Sequence, residues 1–295
     1  MSHIAKFLSA PLAALAVGLA AGCAAPATDS ADAVAVAPAA DAALQAAIAG
    51  EWRSEANRAR DAWRHPHESL AFFGLRPGMT VLEIAPGGGW WTEILAPYAK
   101  ATGGRYMATA ADLSNPELSE AAKTSRANFA ARWADKPEIF GTVELVNFGP
   151  KTTTLGAPNS VDFVLTARNV HNFMAQGTTD ALFAQFFTVL KPGGTLAVKE
   201  HRANPGPQDP KAASGYVTEA IVIEAAQRAG FELAAKSEIN ANPADTKDHP
   251  FGVWTLPPVK RTAPQGQPAN PAFDRAKYDA IGESDRMTLR FVKPG

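Results

Sequence analysis

The sequence predicts an α/β fold built on a parallel sheet with helices on both faces. Three observations carry this expectation. Short apolar runs alternate along the chain with helix-length segments, the pattern of repeated strand–helix–strand units. The first such run, Thr80–Ala85, passes directly into Pro86-Gly87-Gly88-Gly89 and then into a helical stretch. Hydrophobic residues make up 46% of the 295 residues against 19% charged, which is enough apolar mass for a sizeable core.

The chain opens with Lys6, an apolar run Phe7–Ala20 and the small residues Ala20-Ala21-Gly22 before Cys23, the single cysteine. The run is too short to span a bilayer comfortably. It resembles a bacterial lipoprotein signal, in which Cys23 would be lipidated, although Leu19 lies four residues before the cysteine where the usual pattern has leucine at three. The expectation is an exported chain on the periplasmic side of a bacterial membrane, held there only by a lipid at Cys23. The alternative is an ordinary secretory signal and a soluble periplasmic protein. Residues 24–43 are low-complexity Ala/Pro/Asp, a composition suited to a flexible tether. The folded domain is expected over 44–295.

Within it, Leu44, Ile48, Trp52 and Ala56 fall at near-fourfold spacing and predict a helix to Trp63, stopped by Pro66. A short helix Glu68–Phe73 closes at Gly74. Buried strands are expected at Thr80–Ala85, Arg105–Ala110, Thr142–Phe148, Ser160–Thr166, Thr195–Glu200, Phe231–Ile239 and Met287–Lys293. Helices are expected at Trp90–Lys100, Pro116–Trp133, Thr178–Leu190 and Ser214–Ala229. Phe173, Phe183, Phe186 and Phe187 form a stripe at helical spacing and belong in the core. Asn240–Ser284 is Pro-rich and irregular; like Asn204–Ser214 it has the character of a binding loop or lid.

Charge and cysteine usage narrow the function. Lys plus Arg number 28 and Asp plus Glu 29, a net charge of -1, so no positive excess favours nucleic acid. One cysteine excludes an intrachain disulfide framework and a four-cysteine zinc site. His65-Pro66-His67 flanks a proline between helices without any accompanying metal motif, so packing is expected there and no metal site. No G-x-S-x-G supports a serine hydrolase.

The strand-to-helix turn Val81-Leu82-Glu83-Ile84-Ala85-Pro86-Gly87-Gly88-Gly89 is the most informative segment. It lets bare main chain approach a ligand at a helix start. Its spacing is not the G-x-G-x-x-G of dinucleotide sites, and Glu83 at the strand end would repel a pyrophosphate, which disfavours an NAD-dependent oxidoreductase. The segment resembles the first motif, acid-x-G-x-G-x-G, of the class I S-adenosylmethionine (SAM)-dependent methyltransferase family. Glu83, Ala85, Gly87 and Gly89 occupy those positions, Ala85 standing where the family has glycine.

Later landmarks are similar in order and spacing: Val161–Leu165 followed by Arg168-Asn169-Val170-His171, then Leu190-Lys191-Pro192-Gly193-Gly194, then Ala229-Gly230-Phe231. Trp63-Arg64-His65-Pro66, Gly89–Glu93 and Ile281–Arg286 look like a bacterial subgroup of exported, lipoprotein-like methyltransferases. The resemblance spans roughly Ala47 to the C-terminus. It implies a Rossmann-like sandwich of seven strands, mostly parallel with the last antiparallel, and SAM as cofactor. It implies cofactor contacts from Glu83, Ala85, Gly87 and Gly89, with Asp112 after the second strand and Asn147 or Phe148 at the third standing in for the family's two acids.

Methyl transfer from a sulfonium asks chiefly for in-line positioning, plus a base where the nucleophile carries a proton. The carboxyl ends of the strands select His171 with Arg168 and Glu200 as catalytic candidates. The leading expectation is therefore SAM-dependent methyl transfer to a small-molecule or envelope substrate. Export would place the enzyme in a compartment not known to hold SAM. The competing expectation is accordingly an inactive envelope lipoprotein of the same fold that binds another ligand or a protein partner.

Overall fold

A computed structural model describes residues 38–295, with side chains from Ala42 onward. Cys23, the signal-like segment and residues 24–37 of the tether lie outside the described residues. The first helix, α1 (Pro38–Ala49), starts six residues before Leu44, because Ala-rich sequence behind a leading proline is good helix-forming chain. The single helix expected to run to Trp63 is broken into three. Gly50 ends α1, Ser54 caps α2 (Glu55–Arg58) by accepting from the Asn57 N–H at 3.2 Å, and α3 (Asp61–Arg64) closes on His65 at φ +43°. Pro66 then opens α4 (Pro66–Phe73), which ends at Gly74.

The Rossmann-like core follows as β1 (Thr80–Ile84), α5 (Thr92–Ala101), β2 (Arg105–Ala111), α6 (Glu120–Ala134), α7 (Pro137–Phe140), β3 (Val143–Phe148) and β4 (Val161–Ala167). It continues as α8 (Val170–Gln176), α9 (Thr179–Val189), β5 (Leu190–His201), α10 (Glu219–Arg228) and β6 (Glu232–Ser237). A short β7 (Pro250–Val253) and α11 (Ala276–Ile281) lie inside the segment expected to be irregular, and β8 (Arg286–Val292) closes the chain. The segment after β4 that carries His171 is helical, with α8 starting at Val170.

The seven-stranded sheet has the order β3-β2-β1-β4-β5-β8-β6. β8 is antiparallel to both β5 and β6, and the other six strands run in one direction. This is the arrangement the resemblance implied. Alternation along the strands sends successive residues into two cores. Leu82, Val164, Leu196 and Val198 pack on one face with Phe173, Phe183, Phe186 and Val222. Val81, Phe163, Leu165 and Ala197 pack on the other with Leu70, Phe73, Trp90, Trp91 and Trp133. Burying strands on both faces is what makes them read as continuous apolar runs, and each fully buried Phe or Leu contributes about 1.5–3 kcal/mol. Among the described residues no helix is long and apolar enough to cross a membrane.

Two features of this frame place the site. The chain leaves β1 toward β2 and β3, then returns to β4 on β1's other side, so a crevice opens at the carboxyl ends of β1 and β4. The Asn169 side chain ties those ends together by donating to the Ile84 carbonyl at 2.8 Å.

Candidate active site

A cavity of about 680 Å³ occupies that crevice. Its floor is the turn after β1 (Ala85, Pro86, Gly87), one wall the end of β2 (Thr109–Ala111) with Phe148 and Asn169, and its roof the face of α6 that carries Ala122, Ser125, Arg126 and Phe129. Ala85 sits at φ +46° and Gly87 at φ +57°. The left-handed backbone explains why glycine suits both positions, and why Ala85 carries strain that a glycine would not. A Cβ on Gly87 would meet nothing within 4 Å, so this glycine leaves space to the cavity. Gly89 does something else: a Cβ there would lie 2.5 Å from Trp133 Cζ2, so it lets α6 dock on the turn.

Four expected cofactor residues, Glu83, Gly89, Asp112 and Asn147, are not at the cavity wall. Glu83 is buried beneath the turn, where its carboxylate accepts from Thr92 Oγ1 at 3.1 Å and from the Tyr106 hydroxyl. Burial pushes its pKa up to about 7, against the opposing hydrogen bonds from Tyr106 and Thr92. Its place is to hold β1, β2 and the start of α5 in register. Asp112 follows β2 but spends both oxygens locally, Oδ1 on the Ser114 N–H and hydroxyl (2.9 and 2.6 Å) and Oδ2 on the Thr152 hydroxyl (2.7 Å). Hydrogen bonds from Ser114, then Thr152, hold its carboxyl below the usual range.

Asn147 acts through Arg126, whose guanidinium donates to Asn147 Oδ1 (2.9 Å) and to the carbonyls of Ala110 (3.3 Å) and Ala111 (2.8 Å). Arg126 lines the cavity beside the end of β3, where the family has an acid and this chain has Asn147. The sequence reading missed it, although Ala122, Ser125, Arg126 and Phe129 share one helical face at three- and four-residue spacing.

A second cavity, of about 760 Å³, lies beyond β4 and is lined by His171, Lys211–Ser214, His249, Phe251, Trp254 and Arg261 among others. Both irregular segments that read as binding loops contribute to it. His171 is buried at its edge, with Nδ1 3.1 Å from Glu200 Oε1. Glu200 Oε1 also accepts from the His201 N–H (2.8 Å), and Oε2 from those of Val170 (2.5 Å) and His171 (3.4 Å). Four donors thus pin one carboxylate, and that carboxylate fixes the His171 ring.

His171, Glu200 and His201 offer ligand atoms within 4.8 Å of one another. Because all four Glu200 contacts come from N–H groups or a ring nitrogen, the cluster is already a closed hydrogen-bonded unit. His201 is held neutral well below the ordinary histidine range, by burial first and then by His171 and Arg286. Arg168 lines neither cavity. It turns at φ +63° after β4 and joins a group of buried cations around Glu283.

Residues 82–198, from inside β1 to near the end of β5, match the family model described as a methyltransferase domain. Strand order, the antiparallel β8 and that match together give the fold as the Rossmann-like sandwich of class I methyltransferases. No curated protein matches the chain in sequence.

Among solved structures, a SAM-dependent methyltransferase from Aquifex aeolicus is 21% identical, with 62% of this chain and 87% of that chain covered and a TM-score of 0.46. A 1,6-didemethyltoxoflavin-N1-methyltransferase from Burkholderia thailandensis, solved with S-adenosylhomocysteine, is 16% identical over 90% of this chain and 93% of that one, with a TM-score of 0.45. A SAM-dependent methyltransferase from Mesorhizobium loti is 16% identical over 77% and 97%, with a TM-score of 0.44.

Proposed function

We propose that the protein transfers a methyl group from SAM to an acceptor bound beside His171. The observation that carries this reading is the glycine turn after β1, which opens on a cavity at the switch point inside the segment that matches a methyltransferase domain. The residues present suit the cofactor. Gly87 leaves the floor free of side chain, Phe148 offers a ring at the end of β3, and Asn128, Ser125 and Asn169 offer polar groups around the space. Bound SAM would supply an electrophilic methyl on a sulfonium. Everything else is the chain's own work.

The chain first positions: Gly87 and Ala85 form the floor, and Asn169 locks the ends of β1 and β4 together. It then handles a proton. With Nδ1 held on Glu200, His171 keeps Nε2 as the ring nitrogen for a proton from an acceptor hydroxyl or amine in the second cavity. Glu200 is a positioning residue, fixed by the N–H groups of Val170, His171 and His201. Buried, neutral His201 accepts or donates at Ser284 Oγ (2.5 Å) and leaves His171 as the group free to exchange a proton.

Calorimetric titration of the full-length chain with S-adenosylhomocysteine tests the reading. Saturable binding with a dissociation constant in the micromolar range is expected, and Gly87→Trp, which fills the cavity floor, should abolish it. Absence of heat at millimolar ligand would reject SAM as the cofactor.

A further inference from the structure

Two motifs that stand far apart in the sequence, Trp63–Pro66 and Ile281–Arg286, meet on one carboxylate. Glu283 accepts from Arg60 Nε at 2.7 Å, from Arg64 Nε at 3.0 Å and from the Arg286 guanidinium. Lys199, at the end of β5, donates to the Arg64 carbonyl at 2.7 Å, and the Arg168 N–H donates to the Lys199 carbonyl at 2.7 Å. Five cationic side chains, Arg60, Arg64, Arg168, Lys199 and Arg286, therefore share the buried carboxylates Glu283 and Glu200.

Aromatic faces take part of the charge: Arg64 lies 4.7 Å from the Trp90 ring and Lys199 5.5 Å from that of Trp91. The hydrogen bonds nevertheless fall short. Arg60 and Arg64 each bury an NH2 group with no partner, as Arg286 does its Nε. Arg168 is half-buried and its guanidinium makes no hydrogen bond or ion pair among the described residues. Buried charge is normally matched by an opposite charge, since an unmatched one is costly to desolvate.

We propose that Arg168 and Arg60, the part-exposed members of this cluster, form an oxyanion subsite that takes a carboxylate or phosphate group on the methyl acceptor, with buried Arg64 and Lys199 adding positive charge behind them. The part-exposed Arg168 guanidinium supplies the fork geometry such anions accept. Position in the sheet separates this subsite from the cofactor cavity. Arg168, Lys199 and Arg286 stand over β4, β5 and β8, whereas the glycine turn and Thr109–Ala111 stand over β1 and β2. Crowding supports the same conclusion: desolvation, then Arg286, lowers the Lys199 pKa well below the usual range, and desolvation, then Arg286, brings Arg168 down to about 10. An arriving anion would relieve both. The assignment of the anion to an acceptor rests on the methyl-transfer reading; the existence of the subsite does not.

The experiment is calorimetric titration of the full-length chain with inorganic phosphate at constant ionic strength, with and without saturating S-adenosylhomocysteine. One saturable site is expected, with the same affinity in both conditions. Arg168→Gln, which keeps the backbone free to hold its turn, should weaken it about tenfold or more, the worth of one charged hydrogen bond. Arg60→Gln, at the half-exposed rim, is the second variant and should weaken it likewise, while the exposed Lys123→Gln should leave it unchanged.

Retained S-adenosylhomocysteine binding certifies that each variant is folded. No saturable phosphate binding, or equal loss in Lys123→Gln, overturns the subsite. Displacement of phosphate by S-adenosylhomocysteine overturns its assignment to the acceptor, because the anion held there would then be the cofactor's own carboxylate. Phosphate binding without any S-adenosylhomocysteine binding would leave the subsite standing and sink the methyl-transfer reading instead.

Discussion

At the scale of single residues, the His171–Glu200 pair shows how a side chain is given a task by its neighbours. Glu200 accepts three main-chain N–H bonds besides the His171 ring, so its position is set by the end of β5 and the start of α8. A neutral amide cannot substitute, because one end of a glutamine would turn its own N–H groups against those donors. His171→Ala is expected to slow S-adenosylhomocysteine release, with a bacterial envelope extract as the acceptor source, by about 10²–10⁴-fold, the usual worth of a positioned acid–base group. Glu200→Gln should slow it in the same direction, and neither variant should change the affinity for S-adenosylhomocysteine. An unchanged rate in His171→Ala would leave proton removal to solvent or to the acceptor itself.

At the scale of elements, the glycine turn and α6 form one device, and its two key glycines are not equivalent. Gly87→Ala adds a methyl into open space at φ +57°, so only left-handed strain of about 1–2 kcal/mol is expected. Gly89→Ala drives a methyl to 2.5 Å from the Trp133 ring at φ +78°, adding an overpacking cost of about 1–3 kcal/mol to the same strain. Urea midpoints should therefore fall clearly further for Gly89→Ala, and its affinity for S-adenosylhomocysteine should drop as α6 is lifted from the turn. Equal midpoints would show that α6 does not depend on this close approach. The same device marks how far the sequence could be read. The turn itself was legible, because strand, glycines and helix are consecutive in the chain. The roof was not: α6 reaches the cavity from about 40 residues away, and Arg126 looks like one more solvated cation until β2 and β3 bring Ala110, Ala111 and Asn147 to it. Glu83 and Asp112 fit the motif by position, but their carboxylates are claimed by Tyr106, Thr92, Ser114 and Thr152, contacts that only the packed fold reveals. The Glu283 hub was half legible: both motifs stood out, but nothing local joined residues more than 200 positions apart.

At the scale of the whole molecule, buried titratable groups set a pH dependence whose parts oppose each other. Glu83 keeps its proton in the fold to about pH 7 but loses it near 4.5 when unfolded, so its contribution to stability falls as pH rises between those values, by about 3 kcal/mol in all. His201 behaves in the other sense. It is held neutral in the fold well below its ordinary 6.5, so the unfolded chain takes up a proton that the fold refuses, and stability is lost as pH drops below 6.5. Glu283, held low by Arg286, Arg64 and Arg60 against the cost of burial, adds stability that disappears only below about pH 4.5. Between pH 5 and 6.5 the Glu83 and His201 slopes therefore counteract, and the urea midpoint of the native protein should change little. Glu83→Gln removes one side of that balance while keeping an oxygen for Tyr106 and Thr92. Its midpoint should rise with pH across the same window, and at pH 8 it should lose the penalty that ionised Glu83 imposes. Midpoints that run parallel in the two proteins from pH 5 to 8 would mean that Glu83 titrates no differently in the fold than out of it, and that the carboxylate beneath the glycine turn is charged whenever the turn is formed.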